Sequence, residues 1–367
     1  MNMKTILYLL LLCLGSSVVA FAQREDVKFT HLTNVQGLSQ GTVRSIVKDN
    51  YGFVWFGTQD GLNKYDGYKF TVYRNIPKDK FSLRSNDINV VYEDRQGNLW
   101  IGTNGGALNL YNRKTDTFTR FYEGREGASG LSHRDITSIY EDKKGNLWIG
   151  TNWGLNLLDR KTNEITPYVP DPAKKNSLSH GTISAILEDS YGNLWVGTGG
   201  GLNLMDRGTG TFQHFLHQEG SKGSISHNQV TSLIEDDNKN LWIGTNGGGL
   251  NRFNTRSNTF THFVQQADPL FSVGSNNINC MESAGDGKIW IGTSNSLDLF
   301  DPKTKRFSHY SSNTSDVSSL SNGTIISMLQ DKEGILWVGT YSGGINKYDR
   351  NLIFSKPTKV TIPITSV

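Results

Sequence analysis

Apolar and polar stretches alternate along this chain in a pattern that returns about every 47 residues. In the unit at residues 136–168, the segments 136–141, 147–151 and 155–158 are mostly apolar, and the segment 164–168 is a shorter fourth one. Polar turns rich in Asp, Asn and Gly, which tight turns favour, separate the four segments. Four short strands in a unit of this length predict one blade of a β-propeller.

Seven of the eight tryptophans mark the same position in successive units. They lie in segments such as Gly-Asn-Leu-Trp-Ile-Gly-Thr and are 45 to 48 residues apart: Trp55, Trp100, Trp148, Trp195, Trp242, Trp290 and Trp337. The sequence therefore predicts an all-β fold, a seven-bladed β-propeller of four-stranded antiparallel blades, at residues 23–350. We interpret these tryptophans as packing between blades rather than as sugar platforms, because one rigid apolar group per unit suits sheet-on-sheet packing.

A segment that precedes the first complete unit predicts how the ring closes. Residues 29–32, Phe-Thr-His-Leu, match the fourth-strand segments at 118–121, 260–263 and 307–310. We expect them to supply the outer strand of the last blade, which would leave no open sheet edge. Residues 351–367 then either compete for that outer strand or begin a following domain, and the sequence leaves both readings open.

The first 22 residues have the three-part form of a secretory signal. Lys4 supplies the positive region, residues 6–14 the apolar core, and Ala20-Phe21-Ala22 a small-residue cleavage site. We expect cleavage after Ala22 and export to the periplasm. No second apolar run approaches the ~18 residues that a spanning helix requires, so no membrane span is predicted after signal cleavage.

The cysteine content bears on disulfide bonds, and the net charge bears on whether this region binds nucleic acid. Cys13 would leave with the signal, so Cys280 alone would remain and no intramolecular disulfide is expected. Without Lys4 the basic count falls from 37 to 36 against 34 acidic residues, a net charge of about +2 without a charge run. This balance argues against a nucleic-acid partner for this region.

The repeated consensus resembles that of a known family. A polar turn with Gly is followed by Leu-Trp-Ile-Gly-Thr, by Gly-Gly-Leu-Asn and by an aromatic-Asp pair, and this pattern resembles the two-component regulator propeller repeat over residues 29–350. In hybrid two-component histidine kinases of that kind, two propellers usually precede a β-sandwich, a membrane span, a kinase, a receiver and a DNA-binding module. Such receptors detect glycan fragments and regulate transcription.

The resemblance implies a role and partners for this chain. It would be part of the periplasmic sensor region of an inner-membrane receptor, with an oligosaccharide as ligand and a second propeller, a β-sandwich and a kinase as downstream domains. A homodimer would form through those further regions. Because the chain itself has no kinase domain, the resemblance implies a recognition module and not an enzyme.

The turns between the second and third strands are expected on the same face as the long loops between blades, where binding residues concentrate. Trp153 is the one tryptophan outside the repeated position, and it lies in such a turn beside Asn152. It either stacks on a sugar face or covers a neighbouring loop. Equivalent turns carry further candidate ligand-binding residues: Asn104, Asn246 and Tyr341.

Three histidines recur at one repeat position: His133, His180 and His227. The other units carry Gln40, Ser85, Ser275 and Asn322 there, so a shared hydrogen-bonding role explains all seven. We keep the histidines as candidate ligand-binding residues and predict no metal site, because equivalent positions in adjacent blades lie too far apart for one ion with ligands at ~2 Å.

Acid-base catalysis has little support in the sequence. The Glu-Asp pairs at 93–94, 141–142, 188–189 and 235–236 are repeated, and we interpret the Asp as closing the turn that follows the first strand. No nucleophile elbow, phosphate-binding glycine loop or paired-Cys motif is found, so no catalytic residue and no cofactor is predicted. Two alternatives remain: an extracellular propeller-fold polysaccharide lyase or hydrolase, and a structural scaffold for a second propeller.

Overall fold

The computed structural model describes residues 27–121 and 130–350, and these residues form seven four-stranded antiparallel sheets. The predicted seven-bladed β-propeller is therefore confirmed. The predicted signal, residues 1–22, and residues 351–367 lie outside the described part of the chain. Within that part, no helix is long and apolar enough to span a membrane.

The strands follow one another in chain order. The first is β1 (Thr30–Leu32), and blades 1 to 3 are built from β2 (Val43–Lys48), β3 (Val54–Thr58), β4 (Gly61–Tyr65), β5 (Phe70–Tyr73), β6 (Ile88–Glu93), β7 (Leu99–Thr103), β8 (Leu108–Asn112), β9 (Thr117–Phe121), β10 (Ile136–Glu141), β11 (Leu147–Thr151), β12 (Gly154–Leu158) and β13 (Ile165–Tyr168). Blades 4 to 7 are built from β14 (Ile183–Glu188), β15 (Leu194–Thr198), β16 (Gly201–Asp206), β17 (Thr211–Phe215), β18 (Val230–Glu235), β19 (Leu241–Thr245), β20 (Gly249–Asn254), β21 (Thr259–Phe263), β22 (Ile278–Gly285), β23 (Lys288–Thr293), β24 (Leu297–Asp301), β25 (Arg306–Tyr310), β26 (Ile325–Gln330), β27 (Leu336–Thr340) and β28 (Ile345–Tyr348). Two short 3-10 helices lie at Asn34–Gln36 and Pro269–Phe271.

We name the strands of each blade a to d in chain order. The a strands of neighbouring blades contact one another and so surround the central axis. All of the b strands' residues are buried apart from Lys288 at the start of β23, because each b strand lies inside its sheet and between two blades. Gly102 shows how closely the blades approach, since a Cβ atom at this position would lie 2.6 Å from Ile136 of the next blade.

The ring closes through the segment that the sequence predicted. Strand β1 pairs with β28 antiparallel, with Thr30 opposite Lys347 and Leu32 opposite Ile345, and so supplies the d strand of blade 7. Phe29, next to β1, is buried in the core between blades 6 and 7. This pairing confirms the prediction for residues 29–32 and completes the last sheet with residues from the start of the propeller.

An Asp–Trp hydrogen bond organises the a–b turn in six of the seven blades. In blade 3, Asp142 Oδ1 accepts the backbone N–H groups of Lys144 and Asn146, and Oδ2 accepts the indole N–H of Trp148 at 2.9 Å. Burial alone would raise the pKa of Asp142, but the hydrogen bonds from Trp148 and Asn146 outweigh it and hold the pKa below its usual range. The same indole-carboxylate bond joins five further pairs: Asp49–Trp55, Asp94–Trp100, Asp189–Trp195, Asp236–Trp242 and Asp331–Trp337.

The Glu of each Glu-Asp pair bridges to the preceding blade. Glu141 accepts the backbone N–H of Arg95 at 2.8 Å, and its other oxygen lies 3.0 Å from the guanidinium of Arg160. Arg160 also lies 3.2 Å from Asp94 of the preceding blade. Arg113 and Arg207 make the matching ion pairs at the 1/2 and 3/4 seams. The four Glu-Asp pairs therefore belong to the packing between blades.

Blade 6 departs from this scheme. Ser283 and Ala284 replace the Glu-Asp pair, and the indole N–H of Trp290 donates to Gln330 of blade 7 at 3.0 Å instead. Glu282 lies opposite Trp290 in the neighbouring strand. Burial raises the pKa of Glu282 to about 7, and a hydrogen bond from the backbone of Gln330 offsets part of that rise. Blade 6 therefore holds a carboxyl group that is costly to ionise.

A buried polar residue on the c strand fixes each loop between blades. In blade 3, Asn156 Oδ1 accepts the backbone N–H of Ser132 at 2.9 Å. The same bond recurs in every other blade, where the backbone N–H of the loop residue donates to the c-strand oxygen: Ser39 to Asn63, Arg84 to Asn109, Ser179 to Asn203, Ser226 to Asn251, Gly274 to Asp298 and Ser321 to Asn346. These loops are therefore held in a constant position although their sequences differ.

We predict that Asp142→Ala destabilises the propeller by about 3 kcal/mol. The change leaves the buried indole N–H of Trp148 and two backbone N–H groups without their acceptor, and it removes one of the two carboxylate partners of Arg207. Urea unfolding monitored by circular dichroism measures the loss. Asp286→Ala, at an exposed position of the blade 6 turn, is the control, and an equal effect of both changes would contradict the proposed role of Asp142.

We also predict that Glu282 makes stability depend on pH. Between its ordinary pKa and about 7, the folded protein holds a proton that the unfolded chain releases, so this group's contribution to stability falls as the pH rises through that window. Glu282→Gln should therefore stabilise the protein by about 2 kcal/mol at about pH 8 and by much less at about pH 5. Unfolding midpoints at the two pH values test this, with the exposed Asp286→Asn as control. A gain that is equal at both pH values would refute it.

Candidate functional site

The b–c turns and the loops between blades lie together on one face, which we call the upper face. In blade 2 the backbone N–H of Asn104, in the b–c turn, donates to the carbonyl of Asp87 in the loop before the same blade, at 2.9 Å. Equivalent bonds join Asn152 to Asp135 and Asn246 to Gln229. The turns and the loops between blades therefore lie on the same face, as the sequence predicted.

A chain of polar contacts crosses the upper face from blade 1 to blade 3. Arg44 donates to Asp87 at 2.6 Å and to Asn89 at 2.8 Å. The side-chain amide of Asn104 donates to Asp87 at 2.7 Å, and its carbonyl oxygen accepts from Asn89. We name these residues, together with those in the next paragraph, the upper arc. In its first half, the guanidinium of Arg44 pairs with the carboxylate of Asp87 close to the a strands of blades 1 and 2.

The second half of the upper arc centres on Asp135. Its Oδ1 accepts the backbone N–H of Gly105 at 2.7 Å, and its Oδ2 accepts the amide of Asn152 at 3.0 Å. His133 Nδ1 lies 3.7 Å from Oδ2 of Asp135. The upper arc thus consists of Arg44, Asp87, Asn89, Asn104, Asp135 and Asn152, and it links the b–c turns of blades 2 and 3.

Three charged residues of the upper arc were missed in the sequence analysis. Asp87 and Asp135 occupy a loop position where the other units carry uncharged residues: Thr42, Thr182, Gln229, Asn277 and Thr324. Arg44 similarly stands where the other a strands carry Asn89, Thr137, Ser184, Thr231, Asn279 and Ile326. A search for charged departures from the aligned repeat would have found all three.

Trp153 lies beside the upper arc in the b–c turn of blade 3. Its side chain is 54% exposed, whereas the seven repeated tryptophans are at most 5% exposed. The ring lies against Gly181 in the loop before blade 4, where a Cβ atom would be 2.8 Å from Cε3. The ring therefore covers a neighbouring loop with part of its surface and presents the rest to solvent.

The other two candidate turn residues lie away from the upper arc. Asn246 donates its amide to Gln229 at 3.1 Å in blade 5. Tyr341 is exposed in the b–c turn of blade 7, and its carbonyl accepts the hydroxyl of Thr42 from blade 1. The structure places both on the upper face, but the described contacts do not bring them together with Trp153.

The three histidines act on their own loops. The Nδ1 atoms of His133, His180 and His227 accept the backbone N–H two residues later, at 3.0, 3.1 and 3.2 Å. Side-chain oxygens make the same contact in the other four units: Gln40, Ser85, Ser275 and Asn322. The shared hydrogen-bonding role is confirmed. Among residues 27–121 and 130–350, no three His, Cys, Asp or Glu side chains form a group that could hold a metal ion.

Each carboxylate of the upper arc is held by hydrogen bonds from its neighbours. The donors are Arg44, two asparagine amides and a backbone N–H. Hydroxyl groups of a ligand could share these acceptors and donors, while the exposed part of Trp153 offers an apolar face. This combination of a flat aromatic ring and fixed polar groups suits a polyhydroxylated ligand.

The repeated segments match the model of a known protein family. The two component regulator propeller matches residues 37–60, 82–105, 130–153, 177–200, 224–247, 272–295 and 319–342. Each match runs from the loop between blades through strands a and b into the b–c turn. In six of the seven blades it therefore covers the Asp–Trp pair, and in all seven it reaches the upper-face turn.

Solved structures share the ring. The extracellular domain of the hybrid two component system BT3049 from B. thetaiotaomicron is 30% identical with a TM-score of 0.74, over 88% of this chain and 42% of that one. Streptogramin B lyase is 15% identical with a TM-score of 0.63, over 88% of this chain and 97% of the lyase, and this likeness shows the fold alone.

A segment of 62 residues is also 47% identical to "Histidine kinase P4" of Formosa agariphila, over 17% of this chain and 4% of that protein. The chain thus spans less than half of the BT3049 extracellular domain, and the matching segment covers 4% of the histidine kinase. One family segment lies in each of the seven blades, and the chain belongs to the two-component regulator propeller family.

Proposed function

We propose that this propeller is a non-catalytic recognition module of an exported sensor, and that it binds a glycan fragment on the upper face. The observation that carries the proposal is the exposed ring of Trp153 beside the fixed polar groups of the upper arc. Both lie at blades 1 to 3, where the repeat acquires charged residues that its fold does not require. The likeness to an extracellular domain of a two-component system supports a sensing role.

Sugar recognition is the chemistry that this surface suits best. A pyranose ring presents an apolar face to an aromatic side chain and hydroxyl groups at its edge. Asn152 lies next to Trp153 in the chain, and Asp135 holds its amide in a fixed orientation. Binding would then place a sugar ring on Trp153 and its hydroxyls towards Asn152 and Asp135, without a change in the ligand's bonds.

In a complete receptor, binding here would be passed to domains outside this chain. We propose that a second propeller, a β-sandwich and a kinase follow in such a receptor, that the assembled protein dimerises through those regions, and that the propeller lies in the periplasm. The kinase name of one relative and the extracellular domain of another support this arrangement.

The eight tryptophans allow a direct test. Because Trp153 is the exposed one and the other seven are buried, acrylamide should quench mainly Trp153 fluorescence. We expect an oligosaccharide from a mixed glycan panel to raise the melting temperature and to protect this fluorescence from quenching, since a ligand of the folded state stabilises it by mass action. Trp153→Ala should weaken binding about tenfold or more, equivalent to about 1.4 kcal/mol.

Tyr191→Ala is the matched control, because Tyr191 is similarly exposed but lies in an a–b turn on the opposite face. Asn152→Ala, beside Trp153, should weaken binding as well. If a glycan binds Trp153→Ala as tightly as the unchanged protein, the upper face is not the site. Turnover of the bound glycan would overturn the non-catalytic role.

A further inference from the structure

Three positions recur at the seams between blades, on the face opposite the upper face. At the 2/3 seam, Arg160 follows the c strand of blade 3 and lies 3.2 Å from Asp94 and 3.0 Å from Glu141. Asp94 belongs to blade 2 and Glu141 to blade 3. The 1/2 and 3/4 seams hold the same three residue types in the same arrangement. At each of these seams, one guanidinium is thus placed between two carboxylates.

The 6/7 seam keeps the arginine position and has lost both carboxylates. When the blades are aligned, the positions of the Asp, the Glu and the Arg hold Ala284, Gln330 and Arg350. The side-chain oxygen of Gln330 accepts the indole N–H of Trp290 at 3.0 Å, so a neutral amide takes over the contact that the Asp makes in other blades. The three positions therefore contain an arginine and two uncharged side chains.

A cavity of about 250 Å³ lies at this seam, and we call it the seam cavity. Ala284, Gln330 and Arg350 all line it, together with Trp290 and Tyr348. Ala284 ends at its Cβ atom, so it leaves open the space that an aspartate carboxylate takes in the other six blades. The seam cavity is therefore located where the other seams place a negative charge.

A second cation in the wall is also a departure from the repeat. Lys288 lines the seam cavity at a position where four blades carry an asparagine that donates its amide to the seam aspartate. Two acidic residues, Asp286 and Glu333, line it as well. Glu333 pairs with Lys48, and Asp286 lies in the exposed a–b turn. The changes at three aligned positions thus all shift this seam towards positive charge.

We propose that the seam cavity binds a small organic carboxylate, which takes the place of the carboxylates that the repeat supplies at other seams. A guanidinium pairs with a carboxylate through two parallel hydrogen bonds, and Lys288 adds a second positive charge at the same wall. Typical ligand pockets have volumes of ~300 to 1,000 Å³, so this smaller one suits a molecule of about one ring. The ring would lie against Trp290, Leu299 and Tyr348.

Such a ligand would connect two blades. Ala284 and Lys288 belong to blade 6, whereas Gln330 and Arg350 belong to blade 7, the blade that β1 completes. Bound carboxylate would therefore restore across this seam the type of contact that Arg160 makes at the 2/3 seam. The proposal does not depend on the proposed glycan function, because it concerns the opposite face of the propeller.

Benzoate binding to the full chain tests the proposal, with benzyl alcohol as the uncharged molecule of similar shape. We expect benzoate, but not benzyl alcohol, to raise the melting temperature at equal ionic strength, because a ligand of the folded state stabilises it by mass action. Calorimetric titration should show that Arg350→Gln weakens benzoate binding at least tenfold. Arg256→Gln is the matched control, since Arg256 is an exposed arginine that follows the c strand of blade 5 on the same face.

Restoring the carboxylate of the repeat gives a second, independent variant. Ala284→Asp should place a carboxylate in the seam cavity, as in the other six blades, and should therefore weaken benzoate binding at least tenfold. It should also raise the melting temperature without benzoate. Ala173→Asp, at an exposed position of the loop before blade 4, adds the same charge elsewhere and should leave binding unchanged.

Three results would overturn the proposal. The first is a melting temperature that benzoate does not raise more than benzyl alcohol does. The second is benzoate binding that is as tight in Arg350→Gln and Ala284→Asp as in the unchanged protein. The third is a response to inorganic phosphate without a response to benzoate, which would contradict the carboxylate as the ligand. If Ala284→Asp does not fold, Arg350→Gln decides, because it changes an exposed side chain.

Discussion

The fold depends on a carboxylate at the a–b turn of six of the seven blades, which is buried in five of them and partly buried at Asp236. An isolated buried charge would be costly, and here it is offset because one Asp accepts two backbone N–H groups and an indole N–H and, at three seams, also forms an ion pair with an arginine. The bond to the indole fixes the orientation of the tryptophan, and the tryptophan fills the space between sheets. One carboxylate therefore stabilises both the local a–b turn and the packing of the tryptophan between blades.

Much of the fold could be predicted from the sequence because the same pattern of strands, turns and buried tryptophan occurs seven times. The strands of blade 3 were predicted to within one residue, and the closure by residues 29–32 followed from their match to other fourth strands. The indole-carboxylate bond was missed because the spacing of Asp142 and Trp148 reads equally well as a turn followed by a core residue. Only the position of the Asp142 carboxylate next to the indole N–H of Trp148, seen in the structure, reveals the bond.

The candidate site was harder to predict for the opposite reason. Trp153 was noticed because it is the one tryptophan outside the repeated position. Asp87, Asp135 and Arg44 are common residue types, and their contacts become visible only when neighbouring blades are placed side by side. The consensus describes the scaffold, and the departures from it describe what differs from one surface to another. In blades 1 to 3 the departures add charge to the upper face, whereas in blade 6 they remove it from the seam with blade 7.

The closing strand has a consequence for how the chain reaches its native state. Thr30 pairs with Lys347, so the last sheet is complete only when residues separated by almost the whole propeller come together. Such a contact carries a large loop-closure entropy and slows folding, and it cannot form until the seventh repeat has been made. Until then, six formed blades would still have an open seam at each end. A chain that ended before the seventh repeat would therefore leave β1 without its partner strand and the ring open.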